Sequence, residues 1–474
     1  MSYTSCKLSG DPKTRVTFAF KKAHEVQPKL NAMVSFVDPT AQLEALKSKS
    51  ENLPLYGMPV ALKDLVNMKG TLTTGSSMIL ENYISPYDAT ITQKLQDAGA
   101  IIIGKASCDT FGMGGTNKTA ATGPVHNPYD LSRMSGGSSG GSAVLVASGV
   151  VPMAIGTDTG DSIRKPAAFN GIVGVKPTYG RISRYGIIPY ASSLDHVGFF
   201  TNNVDDAALT LEVLAGRDDK DMTSSTRPVD EYRKMLTGDI AGKRFGILTN
   251  VTHAIQNKET LRQFNALCDG LKAKGAIVTE IHLNDALMKA MLPTYYVIAN
   301  AEATANHSNL DALRFGVQKE GKDIEEVMTA SRTAGFGPLL RKRFVIGSYA
   351  LFTENQEIIF RKAQKVRRQI VEEAKKALME VDCLIAPASG NGAPLLEDSK
   401  IDELSSEYLV AENYMALGNF SGYPSMTLPF GYDQSLPLGV NLTCRPFEEG
   451  LMLNLAKSIE GVTGLKDLIK EVQS

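Results

Sequence analysis

Residues 133–181 read RMSGGSSGGSAVLVASGVVPMAIGTDTGDSIRKPAAFNGIVGVKPTYGR. Two Gly/Ser turns, 136–142 and 156–162, bracket a short apolar helix at 143–147 and an apolar strand at 150–155. A Gly/Ser run ordinarily means a flexible linker, but linkers separate domains. Here the first run leads straight into core-like segments, which is where a functional loop on a rigid scaffold belongs. Glycine lets the backbone approach a ligand closely. A turn of this kind aims several N–H groups at one point, which suits a developing negative charge.

Outward from this stretch the pattern alternates. Residues 14–23 and 40–47 have helical periodicity, and 52–54 break it. Residues 57–64 form an apolar strand ending in a lysine, 89–98 a helix closed by Gly99, and 101–104 a β-branched strand. Downstream, 204–214 begins a helix, and 244–248, 276–281, 383–386, 425–430 and 440–443 have strand character. A charge-rich run at 355–381 predicts one long outer helix, and 451–459 a closing one. Alternating strands and helices predict an α/β fold: a large, mainly parallel mixed sheet with helices on both faces. With no repeat and no convincing linker, residues 1–474 are read as one large domain.

Composition narrows the function classes. The chain has 474 residues, 43% hydrophobic and 21% charged, as in an ordinary soluble protein. Fifty basic against 51 acidic residues leave a net charge of −1, so no overall field draws the chain to nucleic acid or membrane. No run of about 18 apolar residues marks a membrane span. The first residues lack the apolar core of a signal peptide. Five scattered cysteines (Cys6, Cys108, Cys268, Cys383, Cys444) suggest neither a disulfide framework nor a zinc site. The six histidines show no metal-ligand spacing. The cytoplasm is the expected compartment.

Three motifs compete for attention. Gly99-Ala-Ile-Ile-Ile-Gly104-Lys105-Ala106 nearly fits a P-loop, but Ala106 lacks the hydroxyl that magnesium needs, and three isoleucines belong in a buried strand. Gly136-Gly-Ser138-Ser-Gly140 fits the G-x-S-x-G nucleophile elbow, for which His196, His253, His282 or His307 would have to supply the base. The third reading has no histidine at all. A lysine kept neutral by burial acts as general base and passes protons through one hydroxyl to a second, nucleophilic serine. Lys63, Ser138 and Ser162 have the residue types for it, although composition alone makes Lys63 a surface lysine at a strand end.

At these residues the chain resembles the amidase signature family. The likeness rests on Pro59-Val-Ala-Leu-Lys63-Asp64, on Gly-Gly-Ser-Ser-Gly-Gly-Ser at 136–142 and on Gly156-Thr-Asp-Thr-Gly-Asp-Ser-Ile-Arg164. The spacings also match: 75 residues from Lys63 to Ser138, and 24 from Ser138 to Ser162. The similarity runs from about residue 10 to 460. It implies Ser162 as acyl-enzyme nucleophile, Ser138 as the cis-serine relay and Lys63 as base. It also implies an oxyanion hole from the N–H groups of Thr159, Gly160, Asp161 and Ser162. Asp158 and Arg164 then form an ion pair that shapes the turn.

Within the family the chain is most similar to the A subunits of tRNA-dependent amidotransferases. That likeness is carried by 176–186, Ala191-Ser-Ser-Leu-Asp195, Leu313-Arg-Phe-Gly316 and Lys362-Ala-Gln-Lys-Val-Arg367. It implies hydrolysis of glutamine, with ammonia passed to a partner B subunit. That partner holds the misacylated tRNA(Gln) or tRNA(Asn) and uses ATP and magnesium, while a small C subunit clamps the two. No cofactor is expected in this chain. Arg343 is implied to hold the α-carboxylate of glutamine, Glu412 its α-ammonium, and Tyr295 to line the pocket; by composition, 341–343 is merely a basic helix face.

Two positions depart from the family pattern. Asp161 replaces a glycine directly before the nucleophile, and Glu412 replaces an aspartate. On sequence grounds Asp161→Gly is expected to leave activity similar or higher. Two other readings stand beside the glutaminase subunit: a free-standing amidase for small or acyl amides, and a silent assembly subunit.

Overall fold

The computed structural model describes residues 10–398, 405 and 407–472. Cys6 and the rest of 1–9 lie outside the described residues. Thirteen strands occur among those described. They are β1 Met33–Phe36, β2 Pro59–Lys63, β3 Ile101–Ala106, β4 His126–Asn127, β5 Asp130–Met134, β6 Met153–Asp158 and β7 Val173–Lys176. Then come β8 His196–Thr201, β9 Arg244–Leu248, β10 Ile277–Ile281, β11 Cys383–Pro387, β12 Ser425–Asp433 and β13 Leu436–Thr443. Eleven form one sheet in the order β1-β3-β2-β6-β8-β7-β12-β13-β11-β9-β10, and β4 and β5 form a separate ribbon.

The expected α/β architecture with a mixed sheet is present. Parallel pairing occupies two flanks, β3-β2-β6 and β11-β9-β10. Antiparallel pairing through β8, β7, β12 and β13 joins them, and β1 adds antiparallel to β3. Both faces are covered, as alternation along single strands demonstrates. Val60 and Leu62 of β2 join one apolar cluster while Ala61 joins another. Cys383 and Ile385 of β11 likewise part from Leu384 and Ala386. Strands buried on both sides read as continuous apolar runs, which is why β2 and β11 were visible in the sequence.

Several segments differ from their sequence reading. The long helix expected at 355–381 is a π-helical turn, Gln356–Phe360, followed by a helix at Arg361–Glu380. Its Ala363, Ile370, Ala374, Ala377 and Leu378 are buried, so a stripe of this charged helix packs inward, chiefly against the helices Asp285–Asn306 and Ala416–Ser421. Before Ser135, where no strand is read from the sequence, lies the β4-β5 ribbon. Among the described residues no helix is long and apolar enough to cross a membrane.

The topology fixes where chemistry gathers. β2 and β6 are parallel neighbours, with Leu62 paired to Ile155, so Lys63 and the turn after Asp158 emerge at the same sheet edge. Ala61, two residues before Lys63, packs with the helix Gly140–Ala147. Lys63 therefore faces the start of that helix. The helix is apolar and wholly buried, and no side chain of its N-cap residue caps it. Asn117 Oδ1 instead accepts the N–H groups of Gly140 and Gly141, at 2.9 and 3.3 Å.

Candidate active site

Lys63 lies fully buried at the end of β2. Its Nζ is 2.8 Å from Ser138 Oγ, 2.9 Å from Ser139 Oγ and 2.8 Å from Thr157 Oγ1. Among the described residues no carboxylate pairs with it. Burial pushes its ammonium down to about 8, against a smaller upward pull from Cys108, Asp109, Asp158 and Asp195. Ser139 donates its own hydroxyl to Thr157 O at 3.0 Å, so it can only accept from the amine. A neutral amine has two N–H donors and one lone pair. Donation to Ser139 and Thr157 leaves the lone pair for the hydroxyl of Ser138.

The peptide Gly137–Ser138 is cis. Its loop is held from below by buried Asp109, which accepts the N–H groups of Thr116 and Asn117 and the hydroxyl of Thr119. Gly137 is required there, because a Cβ would stand 2.1 Å from Asp109 Oδ2. The Ser139 N–H donates to Ser162 O at 3.1 Å and binds the two Gly/Ser turns together. Ser162 is 2% exposed.

The second turn is shaped by the expected ion pair. Arg164 Nη2 donates to Asp158 Oδ1 at 2.9 Å and to Gly160 O at 2.7 Å, and both charged side chains are fully buried. Burial opposes ionisation of Asp158, but the charge and hydrogen bonds of Arg164 outweigh it and hold the carboxyl well below its usual range. Asp158 Oδ2 also accepts the Ile163 N–H at 3.0 Å. Among the described residues the N–H groups of Gly160, Asp161 and Ser162 have no protein acceptor. This is the arrangement of donors that an oxyanion needs.

A cavity of about 770 Å³ opens beside the turn, lined by Asp161, Lys165, Tyr295, Tyr296, Arg343 and Glu412 among others. These side chains come from distant elements: Tyr295 from the helix Asp285–Asn306, Arg343 from Pro338–Leu351, Glu412 just past a π-helical turn, Glu407–Ala411.

Comparison with known proteins gives the family. A family model described as Amidase matches residues 15–453. The chain belongs to the amidase family. It is 39% identical over 449 residues to the A subunit of glutamyl-tRNA(Gln) amidotransferase from Koribacter versatilis, covering 93% of each chain. The Pseudomonas aeruginosa protein of that name is 40% identical, over 93% of this chain and 92% of its own. Among solved structures, the A subunit of the Thermotoga maritima glutamyl-tRNA(Gln) amidotransferase superposes with a TM-score of 0.83 at 33% identity, covering 100% of this chain and 98% of that one. A peptide amidase from Stenotrophomonas maltophilia reaches the same TM-score at 27% identity, covering 96% and 94%.

In this amidase the competing motifs resolve into structure. Lys105 lies buried in β3, its amine bound to Val66 O at 2.5 Å and Thr73 Oγ1 at 2.7 Å, so it faces no phosphate loop. The G-x-S-x-G serine, Ser138, meets Lys63 and no histidine. His196 Nδ1 is engaged with Leu194 O at 2.6 Å, His282 with Thr249 and Asp285, and His307 packs between Phe111 and Phe344. Of the basic run 341–343, Arg341 and Lys342 are exposed while Arg343 turns inward. Arg343 Nη1 donates to Tyr190 Oη at 2.9 Å and its guanidinium lies 5.4 Å from the Tyr296 ring centroid. Among the described residues it has no carboxylate partner.

Glu412 shares the cavity but is engaged: Lys165 Nζ donates to it at 2.8 Å, Ser389 Oγ at 2.9 Å and Gly390 N–H at 2.7 Å. Residues that the sequence reading did not single out include Ser139, Thr157, Asp109, Asn117 and Tyr190. Asp195, quoted only for its motif, accepts the hydroxyl of Thr159 at 2.7 Å and the N–H groups of Tyr190 and Ala191.

Proposed function

We propose that this amidase is the glutamine-hydrolysing A subunit of a tRNA-dependent amidotransferase. The observation that carries the reading is a fully buried Lys63 2.8 Å from Ser138 Oγ, beside backbone donors and a cavity holding Arg343, which among the described residues have no protein acceptor and no carboxylate partner respectively. In the proposed reaction neutral Lys63 takes the proton of Ser138 as Ser138 takes that of Ser162. Ser162 Oγ attacks the amide carbon, and the N–H groups of residues 159–162 hold the oxyanion. The protons return by the same path to the departing nitrogen, which leaves as ammonia. Water then repeats the sequence on the ester and releases glutamate.

Arg343 fits the α-carboxylate of glutamine, since a guanidinium presents a planar pair of donors. Tyr295 supplies a wall of that pocket. The partner B and C subunits of the amidotransferase complete the assembly in this reading. The B subunit holds the misacylated tRNA, uses ATP and magnesium, and receives the ammonia. The cytoplasm, where tRNA is charged, is the compartment.

The test is glutamine hydrolysis by the chain alone and with its co-purified B and C partners. Turnover is expected to be weak alone and stimulated by the partners. Ser162→Ala is expected to abolish it while glutamine still binds. The second reading is a free-standing amidase, favoured by the equal superposition on a peptide amidase. It predicts full turnover of simple amides without partners and indifference to loss of Arg343.

A further inference from the structure

Asp161 is where this chain departs from the family's glycine, and the cavity gives that departure a use. Its carboxylate lines the cavity, half-buried, and among the described residues no donor reaches it. The other charged groups beside it are occupied. Lys165 and Glu412 pair at 2.8 Å, and Ser389 and Gly390 bind Glu412 further. Glu407 accepts the Gln256 N–H at 3.4 Å on the wall beside Gly390. Arg343 carries spare guanidinium donors, so among the described residues a free cation and a free anion face the same space.

Tyr295 lines the same space. Its ring packs on Gly160, where a Cβ would come within 3.0 Å, and it is within electrostatic reach of both Arg343 and Asp161. Glutamine has a carboxylate and an ammonium on one carbon, three bonds from its amide carbon. A group that holds the ammonium while Ser162 attacks must therefore stand close to Ser162. Asp161 is its chain neighbour.

We propose that the Asp161 carboxylate, which lines the same space as Arg343, receives the α-ammonium of a free amino-acid substrate. Glu412, neutralised by Lys165, is then part of the wall. This rests on the glutamine reading above and reverses the expectation that glycine would serve as well at position 161. An unpaired carboxylate beside the oxyanion turn opposes negative charge there unless a cation covers it, and the substrate brings that cation.

The experiment compares glutamine with glutaramate, which is glutamine without the α-amino group, using the chain with its co-purified partners. The readout is the ratio of kcat/KM for the two substrates within each variant, so a general loss of activity cancels. The parent is expected to prefer glutamine. Asp161→Asn and Asp161→Gly are each expected to lower the ratio by about 10- to 100-fold, the range for a hydrogen bond between charged groups. Glu412→Gln is expected to lower it less. An unchanged ratio in both Asp161 variants, or a collapse confined to Glu412→Gln, overturns the assignment and leaves the glutamine reading standing. A parent that hydrolyses glutaramate as well as glutamine removes that reading, and this assignment with it.

Discussion

Asp158 and Asp161 stand three residues apart on one turn, and their surroundings drive them in opposite directions. Asp158 is fully buried, gripped by Arg164 and Asn419, and held well below the usual carboxylate range. Asp161 has no donor among the described residues, and burial, only partly offset by the charge of Lys165, raises its carboxyl to about 6. The first is matched from within the protein; the second is left to be matched from outside. The carboxylate that builds the turn and the one that faces the cavity thus differ in partners as well as in depth. Arg164 and Arg343 repeat the contrast, the one fully engaged and the other open to the cavity.

Breaking the matched pair should have the largest effect. Asp158→Ala leaves Arg164 buried and uncompensated, which costs about 3–5 kcal/mol. Urea unfolding is expected to register that loss, while Asp161→Asn, which removes an unpaired charge, loses no stability. Equal losses for the two would erase the distinction. Next comes the loop beneath the lysine. Asn117→Ala strands the N–H of Gly140 in the interior, whereas Gly141 keeps Ser107 O at 3.1 Å, and the loss costs about 1–3 kcal/mol in the same assay.

The smaller effects concern pH, and each carries a sign. In the proposed reaction the base is the neutral form of Lys63, whose fraction grows as pH rises, so kcat/KM should climb through a limb near 8. Asp161 must be ionised to hold a cation. The KM for glutamine should therefore increase as pH falls through about 6. That limb should be absent in Asp161→Asn, which leaves Lys165, Arg164, Asp158 and Glu412 in place, and absent for glutaramate in the parent. For stability the sign runs the other way. The carboxyl of Asp161 is raised, so folding favours its protonated form. The parent's disadvantage against Asp161→Asn in thermal midpoint should shrink as pH drops from about 6 towards the ordinary aspartate range.

How far the sequence could carry this account follows from what is local and what is not. Lys63, Ser138 and Ser162 were legible because each sits at the end of an apolar strand or in a glycine turn, and their spacing is a property of the chain itself. The buried flanking strands β2, β3 and β11 were legible for the same reason. β8, His196–Thr201, was not: it follows a turn-rich stretch, and its antiparallel place between β6 and β7 depends on partners that no local pattern encodes. Thr157, the third contact of the Lys63 amine, has a hydroxyl like any other until β2 and β6 are known to be neighbours. Asp161 was visible as a departure from a family pattern. Its significance appeared only when Lys165, four residues on, proved to be turned towards Glu412.

The central claim is that Ser162 carries the acyl group and Ser138 relays protons. It is tested most directly by mixing the chain and its partners with glutamine, quenching in acid within the first turnover and mapping the ester by mass spectrometry. The account predicts a peptide containing Ser162 heavier by glutamine less ammonia, with no such peptide in Ser162→Ala. An adduct on Ser138, as the nucleophile-elbow reading requires, would contradict it.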